Sequence, residues 1–425
     1  MMSAGAMPTR QMLAYGVLGF PLAFAALPLY VHVPNLYADS VGLPLALVGA
    51  VLLLTRFADA LIDPLLGQWS DRLGNRRRLI LIALPLLGLG LAALLAPPAD
   101  GGTTWLVLSL SLTFIGFSLA TINYHAWGAE IGETPQDRVG VTAAREMFAL
   151  GGVVVAAALP SLLAKDVATA MQHLGWVFIP ILALAALATF AGAPPAAAPA
   201  RDATPGLPLS AVFADLRFRR LLLVLATGGI ASAIPATLVL FFIADVLRLQ
   251  EWQGLFLVIY FVCGGLALPG WVALARRHGK LRAWMASMVL AIASFVWAFL
   301  LDAGDGLAFA LICAASGAAL GAELALPPAL LADLLADGKR KGQAAAGAGA
   351  YFGVWNFVNK FNLALAAGIA LPLVALFGYQ VGAGATASQG LLALAATYAL
   401  LPAAIKLVSL WLLWRWQHHF EGRTS

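Results

Sequence analysis

The chain has 425 residues, 62% of them hydrophobic and 11% charged, with a mean hydropathy of +0.89. Soluble domains carry about 25% charged residues, so this composition excludes one and points to lipid as the solvent. The net charge of +5 invites a nucleic-acid partner, but the placement of the basic residues, traced below, removes the need for one.

The N-terminal stretch MMSAGAMPTRQMLAYG has no small-residue cleavage site behind a short apolar core. The first apolar run therefore reads as a retained helix and not as a signal peptide. Apolar runs recur near residues 12–38, 41–67, 79–97, 104–131, 141–164 and 174–193, and again near 220–247, 253–275, 281–301, 306–332, 343–378 and 388–414. About 20 residues suffice to cross a bilayer as a helix, and a helix satisfies its own backbone in lipid. The expected fold is an all-α membrane protein of twelve transmembrane helices. Cys263 and Cys313 both fall inside these runs, with no pairing or metal-ligand spacing, so no disulfide is expected.

The second span and its exit loop read RFADALIDPLLGQWSDRLGNRRR, residues 56–78. Asp59 and Asp63 are four apart and share a helix face, with Arg56 three residues before on the same side. Charges at this depth usually line a bundle interior or a water-filled path. A static salt-bridge network is the competing reading. Two carboxylates this close favour a shared proton, so H⁺ is a natural occupant, with Na⁺ at Asp59 and Asp63 the alternative and no other metal expected. In the loop, Asp71 and Arg72 open a basic cluster and are expected to latch helix ends as a gate.

The fourth span carries TINYHAWGAE. Rings such as Tyr124 and Trp127 can stack on sugar faces, and Asn123 can donate and accept hydrogen bonds to hydroxyls. His125 could relay a proton or touch a ligand, and ordinary helix packing is the competing reading for all four. Arg145, inside the fifth span, needs a partner.

APPAAAPARDATPGLP, residues 193–208, breaks the chain near its midpoint. It divides a six-helix half at 1–193 from another at 220–425, with a cytoplasmic linker at 194–219. Pro64 and Gly74 flank the loop after the second span at the same separation as Pro269 and Gly279 after the eighth, each followed by basic residues. Two six-helix pseudo-repeats with matching loops point to the major facilitator fold.

In the second half, Glu323 is an acid within the tenth span, about three turns before Asp333, with a gating or packing role. The eleventh span contains NFVNK, with Asn356 one turn before Lys360. Arg56 and Lys360 against Asp59 and Asp63 make a formally neutral set, in which a bound cation would release Lys360. Lys406, near the end of the last span, is expected to snorkel to the interface.

With both termini on one side, nineteen of the 25 Lys and Arg residues lie there, and only Lys165 and Arg248 lie opposite. The positive-inside rule puts both termini in the cytoplasm and accounts for the net charge.

DALIDPLLG, AEIGETPQDRVGVTAAREMFAL, and PPALLADLLADGKRKG followed by NFVNK resemble the glycoside–pentoside–hexuronide:cation symporter family, in its melibiose-permease-like form. The resemblance covers essentially the whole chain. It implies that Asp59, Asp63 and Lys360, with Arg56 beside them, couple a cation, and that Arg145 lines the substrate cavity. Asn123, Tyr124, His125 and Trp127 fall where the family contacts substrate, and Asn356, on the same face as Lys360, is a further substrate candidate. Departures are specific: the family's first-span Lys-Asp pair aligns with Leu22 and Ala23, its fourth-span acid with Ala120, and an asparagine before the second acid with Ile62. Two sugar-gripping acids and one Na⁺ ligand are thus missing, which favours H⁺.

No nucleotide-binding glycine loop, metal cluster or nucleophile–base arrangement is present in the sequence, so neither an enzyme nor a primary pump is expected. The expected function is a cation-coupled symporter of a small sugar or glycoside, working by alternating access in the cell inner membrane. The expected partners are that solute and membrane lipid, with no cofactor beyond the coupling cation and a monomer as the working unit. The alternatives are a symporter of an amphipathic or anionic solute such as a lysolipid, with Arg145 meeting its acid, or a non-transporting assembly or sensor protein.

Overall fold

A computed structural model describes the chain except for residues 1–6, 34–35, 38–40, 99–100, 165, 196–208, 341–346, 380–387 and 421–425. Most of the proline-rich midpoint and the orientation charges Lys165, Arg201, Lys341 and Arg423 lie outside the described residues.

The described chain is helical: α1 (Thr9–Gly16), α2 (Gly19–Val31), α3 (Leu45–Leu73), α4 (Arg76–Leu95), α5 (Gly102–Ile131), α6 (Pro135–Leu163), α7 (Val167–Gly192), α8 (Leu209–Ala214), α9 (Leu216–Phe241), α10 (Gln253–His278), α11 (Lys280–Phe295), α12 (Gly306–Arg340), α13 (Ala348–Leu376), α14 (Ser388–Ala395) and α15 (Leu401–Phe420). Among the described residues, ten helices are long and apolar enough to cross a membrane. They correspond to the third through twelfth expected spans. The first expected span is split into α1 and α2, and the second is α3, whose apolar run is interrupted by Arg56, Asp59 and Asp63.

Local chemistry sets the ends. Thr134 accepts from the Asp137 amide at 3.1 Å while the Asp137 carboxylate accepts from the Thr134 amide at 3.1 Å, a reciprocal cap that starts α6 with Pro135 in its first turn. Asn75, Asp166 and Asp215 cap α4, α7 and α9 in the simpler way. Gly74 closes α3 at φ 67° and Gly279 closes α10 at φ 88°. Each follows an internal proline by ten residues, but Gly74 is left-handed with ψ −3° and Gly279 extended with ψ 153°, so the repeat lies in position and in positive φ, not in cap geometry.

The chain divides into two compact units, residues 1–212 with 335–357, and 213–334 with 358–425. In the first, Tyr15 and Tyr124 stack with centroids 4.5 Å apart. Each hydroxyl donates to the other residue's carbonyl, at 2.7 and 2.5 Å, and Trp127 packs edge-on against Tyr15. Small residues bring helices together. A Cβ on Gly90 of α4 would meet the Thr113 amide nitrogen at 2.7 Å, and one on Gly116 of α5 would meet the Leu86 carbonyl carbon at 2.9 Å.

In the second unit Phe242 stacks on Tyr398 at 4.2 Å, and Phe309 packs edge-on to Phe256. Gly317 and Gly321 of α12 face the backbone of Tyr260 and Gly264 on α10. The units share an electrostatic device. Arg76, first residue of α4, binds Glu130 at the end of α5 at 3.1 Å. Lys280, first residue of α11, binds Asp333 of α12 at 2.5 Å.

Gly116→Val should lower the melting temperature of the purified protein by the equivalent of about 1–3 kcal/mol, because the α4–α5 contact cannot open without loss of packing. Gly270→Ala, where an added Cβ meets nothing within 4 Å, serves as the control and should leave it unchanged or slightly raised. Equal melting temperatures for both variants would contradict this packing.

Candidate functional site

The buried positions of α3 include Asp59, Asp63, Gly67 and Ser70, spaced four, four and three apart. That stripe faces the protein, while Leu61, Ile62, Leu65 and Trp69 are exposed. Asp63 has 0% exposure and Asp59 8%, values rare for carboxylates without a strong reason. Ser118 of α5 donates to Asp59 at 2.6 Å. The first turns of α13, which belong to the first unit, close over the stripe through glycine. A Cβ on Gly353 would lie 3.0 Å from the Pro64 Cα, and one on Gly349 would lie 2.6 Å from the Gly67 carbonyl oxygen. Backbone meets backbone beside Asp63, and any side chain there would push the acid's helix away.

Two turns further along α3, Asp71 caps the start of α13. Its two carboxylate oxygens accept from the Gly349 amide at 2.8 Å and the Ala350 amide at 2.7 Å. An acid at a helix N-terminus answers both the orphan amides and the helix dipole. Arg76 holds that carboxylate from behind at 2.5 Å, and also reaches Glu130 at 3.1 Å and the Ser70 hydroxyl at 2.6 Å. Ser70 in turn bonds Asn123, whose amide donates to the Leu119 carbonyl at 2.8 Å. Arg72 is exposed and takes no part in this network.

The remaining sequence candidates separate. Arg145 is 5% exposed and forks onto the neighbouring Glu146 at 2.9 and 2.6 Å. Tyr124 and Trp127 are fully buried in the aromatic cluster with Tyr15, so their rings hold helices together. Trp127 also donates to the Pro194 carbonyl at 3.1 Å. His125 meets Phe352 edge-on at 5.7 Å, and its Nδ1 has no hydrogen-bond partner among the described residues. Arg56 is half-buried on α3, one turn before Asp59. On α13, Asn356 is buried in the first unit and Lys360, four residues on, is half-buried in the second.

Sequence reasoning missed Ser118, Glu130 and Glu146, each a polar partner in an apolar stretch with no motif to mark it. It also misread Lys406. This lysine does not snorkel. It is 6% exposed and lies 2.6 Å from the Glu323 carboxylate, within the second unit. α15 runs on to Phe420, fourteen residues or about 21 Å further at 1.5 Å per residue. No lysine stem spans that distance. The pair borders a cavity of about 330 Å³ lined by α9, α10, α11, α12 and α15.

A family model described as MFS/sugar transport protein matches residues 12–417. Among curated relatives, the uncharacterized symporter YnaJ of Bacillus subtilis is 34% identical over 151 residues, 33% of this chain and 32% of that one. The uncharacterized symporter sll1374 of Synechocystis is 29% identical over 192 residues, 41% and 35% of the two chains. These matches span about a third of the relatives' length. Among solved structures, a bacterial homologue of the iron transporter ferroportin, in its outward-facing state, superposes with a TM-score of 0.74 at 15% identity, covering 97% of this chain and 100% of that one. The fucose:proton symporter of E. coli gives 0.69 at 13% identity, covering 95% and 98%. At such identities the likeness is one of fold. A family match that begins in the first helix and ends in the last makes this chain a member of the MFS/sugar transport protein family.

Proposed function

We propose that the protein is a cation-coupled symporter of a small sugar or glycoside, working by alternating access as a monomer in the cell inner membrane with both termini cytoplasmic. One observation carries this reading: Asp59 and Asp63 are buried one turn apart on a helix otherwise built for lipid. A buried carboxylate costs several kcal/mol unless it is compensated, and coupling gives such an expense a use. A cation that binds the acids changes how strongly they attract Arg56, and so changes the balance between conformations. A proton is the favoured ion. Na⁺ needs several oxygen ligands, whereas the neighbouring position on α3 is Ile62, which offers no side-chain oxygen.

Arg145, Asn356 and His125 are assigned to the substrate path, with Asn123, Tyr124 and Trp127 as the packed wall behind it. The names of the Bacillus and Synechocystis relatives as symporters support the class, and the family description supports a sugar. In this reading Asp71 is a latch: it pins the first turn of α13 to the end of α3, and transport requires that cap to break and re-form. Arg72 flanks the latch at the surface, and Glu323 acts in the second unit.

In proteoliposomes, Asp63→Asn should abolish gradient-driven sugar uptake, a fall of at least about a hundredfold, while the protein still melts near the parent temperature. A fixed salt-bridge network predicts the opposite pattern, with destabilisation of about 3–5 kcal/mol, since removal of one partner strands the other. That result would remove the coupling role.

Asp71→Asn keeps the size of the cap and removes its charge. Turnover should fall about tenfold, equivalent to ~1.4 kcal/mol, with equilibrium sugar affinity changed less than about threefold. A drop in affinity with turnover intact would make Asp71 a binding residue and not a latch.

A further inference from the structure

The cavity of the second unit, at about 330 Å³, falls in the size class of small-molecule sites. Its lining is lopsided. Phe256, Tyr260, Phe295 and Tyr398 give it ring surface, and its charged groups are gathered at one place. There Lys406 Nζ lies 2.6 Å from the Glu323 carboxylate and donates to Ser232 Oγ at 2.8 Å, and Ser232 donates to Glu323 at 3.2 Å. The Tyr260 and Tyr398 hydroxyls make no hydrogen bond to any other described residue.

Two arguments narrow the ligand. The Glu323–Lys406 pair is neutral as a unit, so a charged ligand could displace one member only by stranding the other in a low-dielectric wall. A neutral ligand with adjacent hydroxyls avoids that penalty. One hydroxyl donates to the carboxylate, its neighbour accepts from the ammonium, and both contacts are charge-assisted. The rest of the cavity offers rings, which favour an apolar or aromatic body through area burial and stacking. A free sugar would leave most of its hydroxyls facing those rings.

We propose that this cavity binds an uncharged amphiphile with adjacent hydroxyls at one end and an aromatic or aliphatic body at the other, such as an aryl glycoside. Glu323 and Lys406 grip the hydroxyls, Ser232 holds the pair in register, and Tyr260 and Tyr398 flank the body. The inference deepens the symporter reading by assigning a second-unit site to its substrate, and rests on that reading only for translocation.

The test is calorimetric titration of the full chain in lipid nanodiscs, free of glycosidic detergent. The probes are p-nitrophenyl glycosides, the matching methyl glycosides, the free sugars and p-nitrophenyl phosphate. The aryl glycoside should bind at least about tenfold tighter than the methyl glycoside. The double substitution Glu323→Gln with Lys406→Gln should remove at least about a factor of ten in affinity, and Tyr260→Ala, which removes the flanking ring, a smaller factor. Equal binding of aryl and methyl glycosides, preference for the phosphate, or aryl binding untouched by the double substitution would each overturn the site. Should the double variant fail to fold, Ser232→Ala and Tyr260→Ala decide, and unchanged affinity in both overturns it. Ion-driven aryl-glycoside uptake insensitive to all these substitutions would defeat this site and leave the symporter reading standing. Aryl-glycoside binding that follows these substitutions, without ion-driven uptake, would do the reverse.

Discussion

The close approach of α3 to the first turns of α13 is the constraint on which the first unit depends. Carboxylates at positions 59 and 63 can sit in an apolar helix only where they turn away from lipid, into the bundle interior or a water-filled path. Glycine at 67, 349 and 353 lets the two backbones meet, and that contact seals the stripe. The same closeness puts Asp71 within reach of the Gly349 and Ala350 amides. Burial of the acids and capping of α13 are thus two results of one packing choice. If α13 moved away, the acids would be hydrated and the cap lost together, which is how one helix movement could join ion binding to gating.

The ionic pairs at the starts of α4 and α11 repeat a theme at lower stakes. Arg76 with Glu130 and Lys280 with Asp333 each tie the third helix of a unit to its fourth. In the first unit that pair is extended by Asp71, Ser70 and Asn123 into a network. The second unit has its polar investment elsewhere, at Glu323 and Lys406 deep in the cavity wall. The repeat is therefore symmetric in its scaffold and asymmetric in its chemistry.

Much of this was legible in the sequence because the signals were periodic or local. Hydropathy marks the helices, and the matched Pro64–Gly74 and Pro269–Gly279 spacings mark the repeat, because a positive-φ glycine after a helix leaves a trace in the chain. The four-residue spacing of Asp59 and Asp63 fixes their common face. Partners that come from other helices left no such trace. Ser118 and Glu130 sit on α5 with nothing local to announce whom they meet, and Lys406 looked like an interfacial lysine because its distance from the true end of α15 depended on where that helix stops. Tyr124 and Trp127 show the same limit: an aromatic at helical spacing reads alike whether it faces a cavity or, as here, another ring from α1.

The central claim is that the buried acids of α3 bind the ion that drives sugar entry. The direct measurement is the charge movement evoked by a sugar concentration jump on protein-containing membranes, recorded across a pH series with and without Na⁺. The account predicts a sugar-evoked inward current that rises with proton concentration, is indifferent to Na⁺, and vanishes when both Asp59 and Asp63 are replaced by asparagine. Sugar entry with no accompanying charge, or a current that survives the double replacement, would contradict it.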